Sequence, residues 1–136
     1  MACPPFDPDR RALLRLLAAT PVLLATGCSL FEDAELRLGT RAQLVQQGYL
    51  TAEFNGNTLW VTLQGGQLLC LDLTCTHKQC TVAWKAADAA FVCPCHKGRF
   101  DAQGAVLSGK PTSPLRRLLA EERGPDIWVR NEVVAN

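Results

Sequence analysis

The sequence has little excess charge, few aromatic side chains and almost no histidine. Its 136 residues carry a formal net charge of +1, and aromatic residues make up 7% of the chain. A nearly neutral protein does not attract nucleic acid as a whole, and few aromatic side chains leave no platform for stacking bases. We therefore expect no nucleic-acid partner. The length is that of one domain, and the hydrophobic share of 48% is sufficient for a core.

The two histidines, although scarce, lie close together in the chain. Both fall within residues 75–96, together with four of the seven cysteines. Residues 75–80 read C-T-H-K-Q-C, and residues 93–96 read C-P-C-H. In a reducing compartment such a group indicates a zinc site, whereas an exported protein can hold metal ligands and a disulfide in one region. The N-terminal segment therefore bears on the interpretation.

Residues 1–28 are typical of an export signal. Arg10 and Arg11 precede an apolar stretch over residues 16–27, which ends at Cys28. The paired arginines followed by two leucines resemble a twin-arginine signal. The alternative is an ordinary secretory signal whose charged part holds two arginines. Both interpretations predict an exported protein.

Cys28 suggests how the exported domain is tethered. The sequence A-T-G-C that ends at Cys28 resembles a bacterial lipoprotein box, in which this cysteine is lipidated and becomes the mature N-terminus. The alternative is an uncleaved anchor, because the 20 residues from Ala12 to Phe31 are just long enough to span a bilayer, although Arg15 and Pro21 interrupt them. We favour the lipoprotein. Both alternatives place the folded domain on the outer side of the bacterial cytoplasmic membrane or in the periplasm.

The sequence predicts a polar linker over residues 29–43 and an all-β domain over residues 44–136. Apolar and polar residues alternate on both sides of Asn55-Gly56, which is a strong signal for a two-residue hairpin. Strands are predicted over 50–54, 59–63, 68–73, 90–92, 115–120 and 127–130. Short strands at this spacing predict a small antiparallel β sandwich or barrel. Cys70, inside one apolar run, is expected to be a buried and inert thiol.

The spacing of the two cysteine–histidine segments predicts that they meet. Fifteen residues separate His77 from Cys93, which is enough for a strand, a turn and a return strand. Such a hairpin brings the two loops face to face, each with a cysteine and a histidine. A structural zinc site is the alternative, although Cys-x-His is an unusual spacing for zinc.

The two loops resemble those of the Rieske iron–sulfur proteins of cytochrome bc-type complexes. In that family the pattern is C-T-H-x-x-C with C-P-C-H, and the similarity spans most of residues 44–131. The resemblance implies one Rieske-type 2Fe–2S cluster per chain. By matching position, it implies that the ligands are Cys75, His77, Cys93 and His96.

The resemblance implies further features of a cluster-binding subdomain over about residues 70–113. Cys80 and Cys95 match the cysteines that form the family's disulfide between the loops. Residues 109–111, Gly-Lys-Pro, look like the proline loop that covers the cluster. Because iron–sulfur clusters are assembled inside the cell, a twin-arginine signal, which exports folded proteins, suits such a domain.

Two departures from the family pattern concern the electronics of the cluster. The family often has Ser and Tyr after the second-loop histidine, where this chain has Gly98 and Phe100. Hydroxyl groups at those positions donate hydrogen bonds to cluster sulfur and raise the reduction potential. We therefore expect a potential in the lower part of the Rieske range. We also expect the variants Gly98→Ser and Phe100→Tyr to raise it.

Basic residues near the two loops predict the charge of a partner protein. Lys78, Lys97, Arg99 and Lys110 lie in the segments near the cluster, where Asp101 is the one acidic residue. This distribution indicates a redox partner with an acidic docking face and an association that weakens with salt. The alternative is that these side chains are merely solvated.

Three functions follow from the sequence. The first is a membrane-tethered electron carrier, or a small electron-transfer subunit of a periplasmic oxidoreductase such as arsenite oxidase, whose small subunit this layout resembles. The second is the quinol-oxidising subunit of a bc-type complex, in which His96 would contact quinol. The third is a zinc-stabilised binding module. A Rieske ferredoxin of an oxygenase is less compatible, because those relatives lack the second cysteine pair and a signal peptide.

Overall fold

The structure, a computed structural model, describes residues 34–135. The predicted export signal, Cys28 and residues 29–33 of the predicted linker lie outside the described residues. Within residues 34–135, no helix combines the length and the apolar character needed to cross a membrane.

The described chain is an all-β fold with one short helix. In chain order the elements are β1 Glu35–Thr40, α1 Arg41–Gln47, β2 Tyr49–Phe54, β3 Asn57–Gln64, β4 Gln67–Asp72, β5 Ala83–Lys85, a 3-10 turn Ala86–Asp88, β6 Ala90–Val92, β7 Arg99–Phe100, β8 Val106–Ser108, β9 Arg117–Arg123 and β10 Asp126–Val134. They form a six-stranded sheet in the order β1-β10-β9-β4-β3-β2 and a four-stranded sheet in the order β5-β6-β7-β8. All strand pairs are antiparallel, so the predicted fold class is confirmed.

The predicted linker is wrong for residues 35–43, which belong to the fold. β1 pairs with β10, and α1 begins directly after it. Thr40 and Gln43 form a capping box, in which each side chain accepts a hydrogen bond from the other residue's backbone N–H. The segment looked like a linker because its polar side chains face solvent, as those of an edge strand do.

Tight turns set the register of β2, β3 and β4. Asn55 and Gly56 both have positive φ, at 52° and 81°, as a two-residue hairpin with this twist requires. Gly65 and Gly66 repeat this between β3 and β4. The register that results pairs Val61 with Cys70, and both side chains are buried in the core of the larger sheet. This burial raises the pKa of the Cys70 thiol to about 12, which makes it the inert thiol that the sequence predicted.

A second core lies beneath the loops that join the strands of the smaller sheet. Phe91 on β6 is paired with Phe100 on β7, and neither side chain is exposed. The same cluster of buried side chains includes Cys75 and Cys93. These two cysteines are therefore held by the packing of the subdomain and not only by their own loops.

Asp72, at the end of β4, is the one buried charged residue of the described chain. Its carboxylate is 1% exposed and accepts hydrogen bonds from the Asn57 side chain at 3.0 Å, the Thr74 backbone N–H at 3.0 Å and the Arg116 guanidinium at 2.7 Å. A buried carboxylate is tolerated when its oxygens are paired in this way. Because Thr74 directly precedes Cys75, Asp72 also fixes the point at which the first cysteine–histidine loop begins.

We expect Asp72→Ala to lower the free energy of unfolding by about 2 kcal/mol, because the partly buried Asn57 side chain and Thr74 N–H and the more exposed Arg116 guanidinium lose their acceptor. Urea unfolding followed by circular dichroism measures this loss. The matched control is Asp88→Ala, which removes an exposed carboxylate 3.8 Å from Arg99 and should cost less than about 0.5 kcal/mol. Equal losses in the two variants would contradict the anchoring role of Asp72.

Candidate metal centre

The first loop, residues 73–82, follows β4 and closes on itself. The backbone N–H of Cys75 donates to the carbonyl of Cys80 at 2.8 Å, and the N–H of Gln79 donates to the carbonyl of Cys75 at 2.9 Å. Gln79 adopts a left-handed φ of 57° to complete the turn. The closure places Cys75 and Cys80 side by side and leaves His77 exposed at the tip.

The second loop, residues 93–98, connects β6 to β7 in a similar way. The N–H of Cys93 donates to the carbonyl of Gly98 at 2.8 Å, and the N–H of Lys97 donates to the carbonyl of Cys93 at 3.0 Å. Lys97 has a left-handed φ of 59°. His96 is therefore exposed at the tip while Cys93 points into the core.

The hairpin β5–β6 and a disulfide bring the two loops together. The strand, turn and return strand predicted between His77 and Cys93 are present as β5, the 3-10 turn and β6. Cys80 and Cys95 form the predicted disulfide, with their Cα atoms 6.5 Å apart. The loops are thus joined covalently by one half-buried cysteine, which packs against the core, and one exposed cysteine.

The remaining donor atoms form two layers that fit a Rieske-type cluster. Cys75 and Cys93 are free thiols and almost fully buried, at 1% and 2% exposure. The exposed rings of His77 and His96 lie edge to face, with centroids 5.0 Å apart. Two buried thiolates and two outer imidazoles are the donor set that such a cluster requires. These four side chains are the residues that could hold it.

The electrostatic surroundings differ between the layers. Burial raises the pKa of the Cys75 thiol and the Cys93 thiol beside it adds to this, while the backbone N–H groups of His77 and Lys78 oppose it. The pKa of His77 is lowered by partial desolvation, then by His96, Lys110 and Lys78. The outer layer is therefore rich in positive charge, and the inner layer has N–H groups directed at sulfur.

Another group of sulfur atoms is not a metal site. The sulfur atoms of Cys80, Cys93 and Cys95 all lie within 4.8 Å of one another. Two of them are bonded to each other, so they have no thiolate to offer a metal. This excludes Cys80 and Cys95 as ligands in the described state.

The lysines make up most of the basic surface that the sequence predicted. Lys78, Lys97 and Lys110 are exposed, and in the described part of the chain none of them forms an ion pair. Arg99 is different, because it lies 3.8 Å from Asp88, an acidic residue that the sequence did not bring near the site. We refer to Lys78, Lys97 and Lys110 as the lysine tip.

The segment 109–113 packs against both loops. Thr76 of the first loop donates its hydroxyl to the carbonyl of Ser113 at 2.7 Å. Pro111 is buried against Gly98 of the second loop: a Cβ added to Gly98 would lie 2.7 and 2.8 Å from the Cγ and Cδ atoms of Pro111. Gly109 has a φ of 97°, and a Cβ there would lie 2.7 Å from the Cα of Gly98. Two glycines thus allow the close approach.

This packing adds a steric cost to one of the two variants expected to raise the reduction potential, and both expected effects on the potential stay predictions. The sequence predicts that Gly98→Ser raises the potential, and the structure adds that the serine Cβ has no space unless the rigid ring of Pro111 moves. The motif gave no signal for this contact because Gly98 and Pro111 are brought together only by the fold. Phe100 is fully buried in the core cluster that includes Cys75 and Cys93, and the effect of Phe100→Tyr on the potential stays a prediction.

We expect Gly98→Ser to lower the free energy of unfolding by about 2 kcal/mol, as overpacking in a close-packed site does. In a Pro111→Ala background, which lacks the Cγ and Cδ atoms, the same substitution should cost less than about 1 kcal/mol. Urea unfolding of the four proteins measures both penalties. An equal penalty in the two backgrounds would show that Pro111 is not the obstacle.

Comparisons with known proteins agree on one family. The family model described as the Rieske [2Fe-2S] domain matches residues 35–119. The chain is 31% identical over 95 residues to the cytochrome b6-f complex iron-sulfur subunit of Chlorobaculum thiosulfatiphilum, covering 70% of this chain and 52% of that protein. It is 44% identical over 69 residues to a carotenoid phi-ring synthase of Chlorobaculum tepidum, covering 51% of this chain and 11% of that protein. The chain thus spans about half or less of these relatives.

One similar solved structure is matched over nearly its whole length. The plasma membrane Rieske protein PetC3 of Synechocystis PCC 6803 is 35% identical, with a TM-score of 0.60, and the match covers 69% of this chain and 97% of that chain. The family model, which ends at residue 119, includes strands β1 to β8, the first residues of β9 and both loops. The chain therefore belongs to the Rieske [2Fe-2S] family, an electron-transfer domain with a Rieske-type 2Fe–2S cluster.

Proposed function

We propose that this protein is an exported, membrane-tethered one-electron carrier whose cluster is held by Cys75, His77, Cys93 and His96. The observation that supports this most strongly is the two-layer arrangement, in which two free thiols are buried and two imidazoles are exposed. A tether at Cys28 on the outer side of the cytoplasmic membrane agrees with the export signal and with the oxidising conditions that a stable disulfide needs.

Each layer has a separate task in this proposal. When bound, the 2Fe–2S cluster accepts and releases a single electron. The buried thiols of Cys75 and Cys93 anchor it and exclude water from the sulfur side, where backbone N–H groups of His77 and Lys78 support the thiolate form. The imidazoles of His77 and His96 face solvent, so a partner can approach at the exposed edge of the site.

We expect the purified protein to contain two iron atoms per chain and, after reduction, a Rieske-type electron paramagnetic resonance signal. Cys75→Ser and Cys93→Ser should each lose the signal and most of the iron. The matched control is Cys70→Ala, which removes the other free cysteine of the described chain. This variant should retain both the iron and the paramagnetic resonance signal. A colourless protein that binds one zinc would refute the proposal and support a structural zinc site.

The proposed docking surface is the lysine tip. It contains three of the four lysines of the chain: Lys78 and Lys110 act on His77, and Lys97 follows His96 directly. The fourth, Lys85, lies at the far end of the β5–β6 hairpin. Asp101, the acidic residue that the sequence placed nearby, accepts the backbone N–H groups of Gln103 and Ala105 and so belongs to a turn. This distribution favours a redox partner with an acidic docking face.

We expect electron transfer from the reduced protein to an acidic c-type cytochrome to slow as ionic strength rises, because salt screens the attraction. Lys78→Glu combined with Lys110→Glu should lower the second-order rate about tenfold at low salt, when measured by stopped-flow absorbance. Lys85→Glu changes the net charge without changing the tip, and its rate should stay within about twofold. A rate that is independent of salt would contradict docking at the lysine tip.

A second candidate is quinol oxidation within a cytochrome bc-type complex. The similarity to cytochrome b6-f iron-sulfur subunits favours it, and the exposed ring of His96 is accessible to a quinol. Against it, the lysine tip gives the exposed edge a polar character that suits a protein better than a hydrophobic quinol site. A cytochrome b gene next to this one would favour the complex, and a molybdenum-subunit gene would favour the periplasmic oxidoreductase.

A further inference from the structure

The disulfide and one proposed cluster ligand lie within reach of each other. The sulfur atoms of Cys80, Cys93 and Cys95 are all within 4.8 Å of one another, and Cys93 is a free thiol. Exchange between a thiol and a disulfide requires only that a thiolate reach one of the two bonded sulfur atoms. Once Cys93 is bound to iron, its sulfur is no longer free to do so.

We propose that, before the cluster is inserted, Cys93 exchanges with the Cys80–Cys95 disulfide and thereby removes itself from the ligand set. The inference rests on the proposed role of Cys93 as a ligand. In the step, the Cys93 thiolate attacks one sulfur of the disulfide, a new S–S bond forms and the Cys80–Cys95 bond breaks. The displaced sulfur leaves as a thiolate and takes up the proton that Cys93 released. The number of thiols and disulfides is unchanged, so no external oxidant is involved.

The geometry favours one product. Attack on Cys80 joins Cys80 to Cys93 and releases Cys95, which is exposed. Attack on Cys95 would instead join two residues separated by Pro94 alone, and the fixed φ of proline limits how such a short ring can close. The main product should therefore be a Cys80–Cys93 disulfide with an accessible thiol at Cys95.

The packing makes the exchange selective. Cys93 is 2% exposed, which shields it from thiols and oxidants in solution but not from the disulfide beside it. Cys75 is not a member of this sulfur group, and Cys70 is buried in the core of the larger sheet. Among the free cysteines of the described chain, Cys93 is thus the one placed to react.

The consequence is an order of reactions. If the disulfide forms first, one thiolate ligand is drawn into the wrong bond and the cluster cannot be completed. Cluster insertion must therefore precede the dithiol oxidation that produces the Cys80–Cys95 bond. This order agrees with assembly in a reducing compartment, followed by export of the folded protein and oxidation outside.

The test uses the full chain with Cys3→Ser and Cys28→Ser, which leaves the five cysteines of the described part. The holoprotein is stripped of iron with bipyridyl under argon, desalted to remove sulfide, and incubated at pH 8 without thiol or oxidant. Free thiols are then alkylated, and the disulfides are mapped by mass spectrometry. We expect Cys93 in a disulfide, mainly with Cys80, while Cys70 and Cys75 remain free. A map that contains only Cys80–Cys95 would overturn the proposal.

Reloading with iron and sulfide provides a second readout. After the incubation, the yield of cluster measured by visible absorbance should rise roughly threefold if dithiothreitol is added first, because the reductant frees Cys93. A variant with both Cys80→Ser and Cys95→Ser cannot exchange and should reload equally well with and without the reductant. If no cluster forms even after reduction, the ligand assignment fails, whereas the disulfide map still decides whether exchange occurred.

Discussion

The site depends on holding two exposed loops face to face, and the covalent bond between Cys80 and Cys95 links them directly. Each loop closes on its own backbone, which sets the direction of its cysteine and its histidine. Neither closure fixes the distance between the loops. The β5–β6 hairpin brings them near, and the disulfide then joins their outer ends. Buried thiols and exposed imidazoles follow from this arrangement, because each loop enters from the core and returns to it.

The same closeness has a cost. The disulfide that holds the loops lies beside the proposed ligands and within reach of Cys93. A bound cluster would prevent exchange with the disulfide, because the Cys93 thiolate would then be coordinated to iron. Stability and assembly are therefore linked, since the bond that stabilises the loaded site competes with loading.

The segment 109–113 also depends on close packing against the second loop. Gly98 and Gly109 have no side chains, so Pro111 is seated directly on the second loop. A serine at position 98 would offer a hydroxyl but would displace this segment. In this chain, close packing of Pro111 on position 98 therefore requires a residue without a side chain, and such a residue has no hydroxyl. The lysine tip lies at the exposed side of the site, where the charges of Lys110 and Lys78 help to lower the pKa of His77.

The sequence by itself determined the chemistry of the site and much of the fold. Spacing identified the two cysteine–histidine loops and the intervening hairpin, and turn residues located the strands β2 to β4, because these are local signals. The family resemblance implied the disulfide pair. Residues 35–43 were misassigned, since an edge strand of polar residues resembles a linker until its partner β10 is known. Only the tertiary structure decided the seat of Pro111 on Gly98, the anchoring of Asp72 and the distance from Cys93 to the disulfide. Those contacts join residues far apart in the chain, and packing alone sets them.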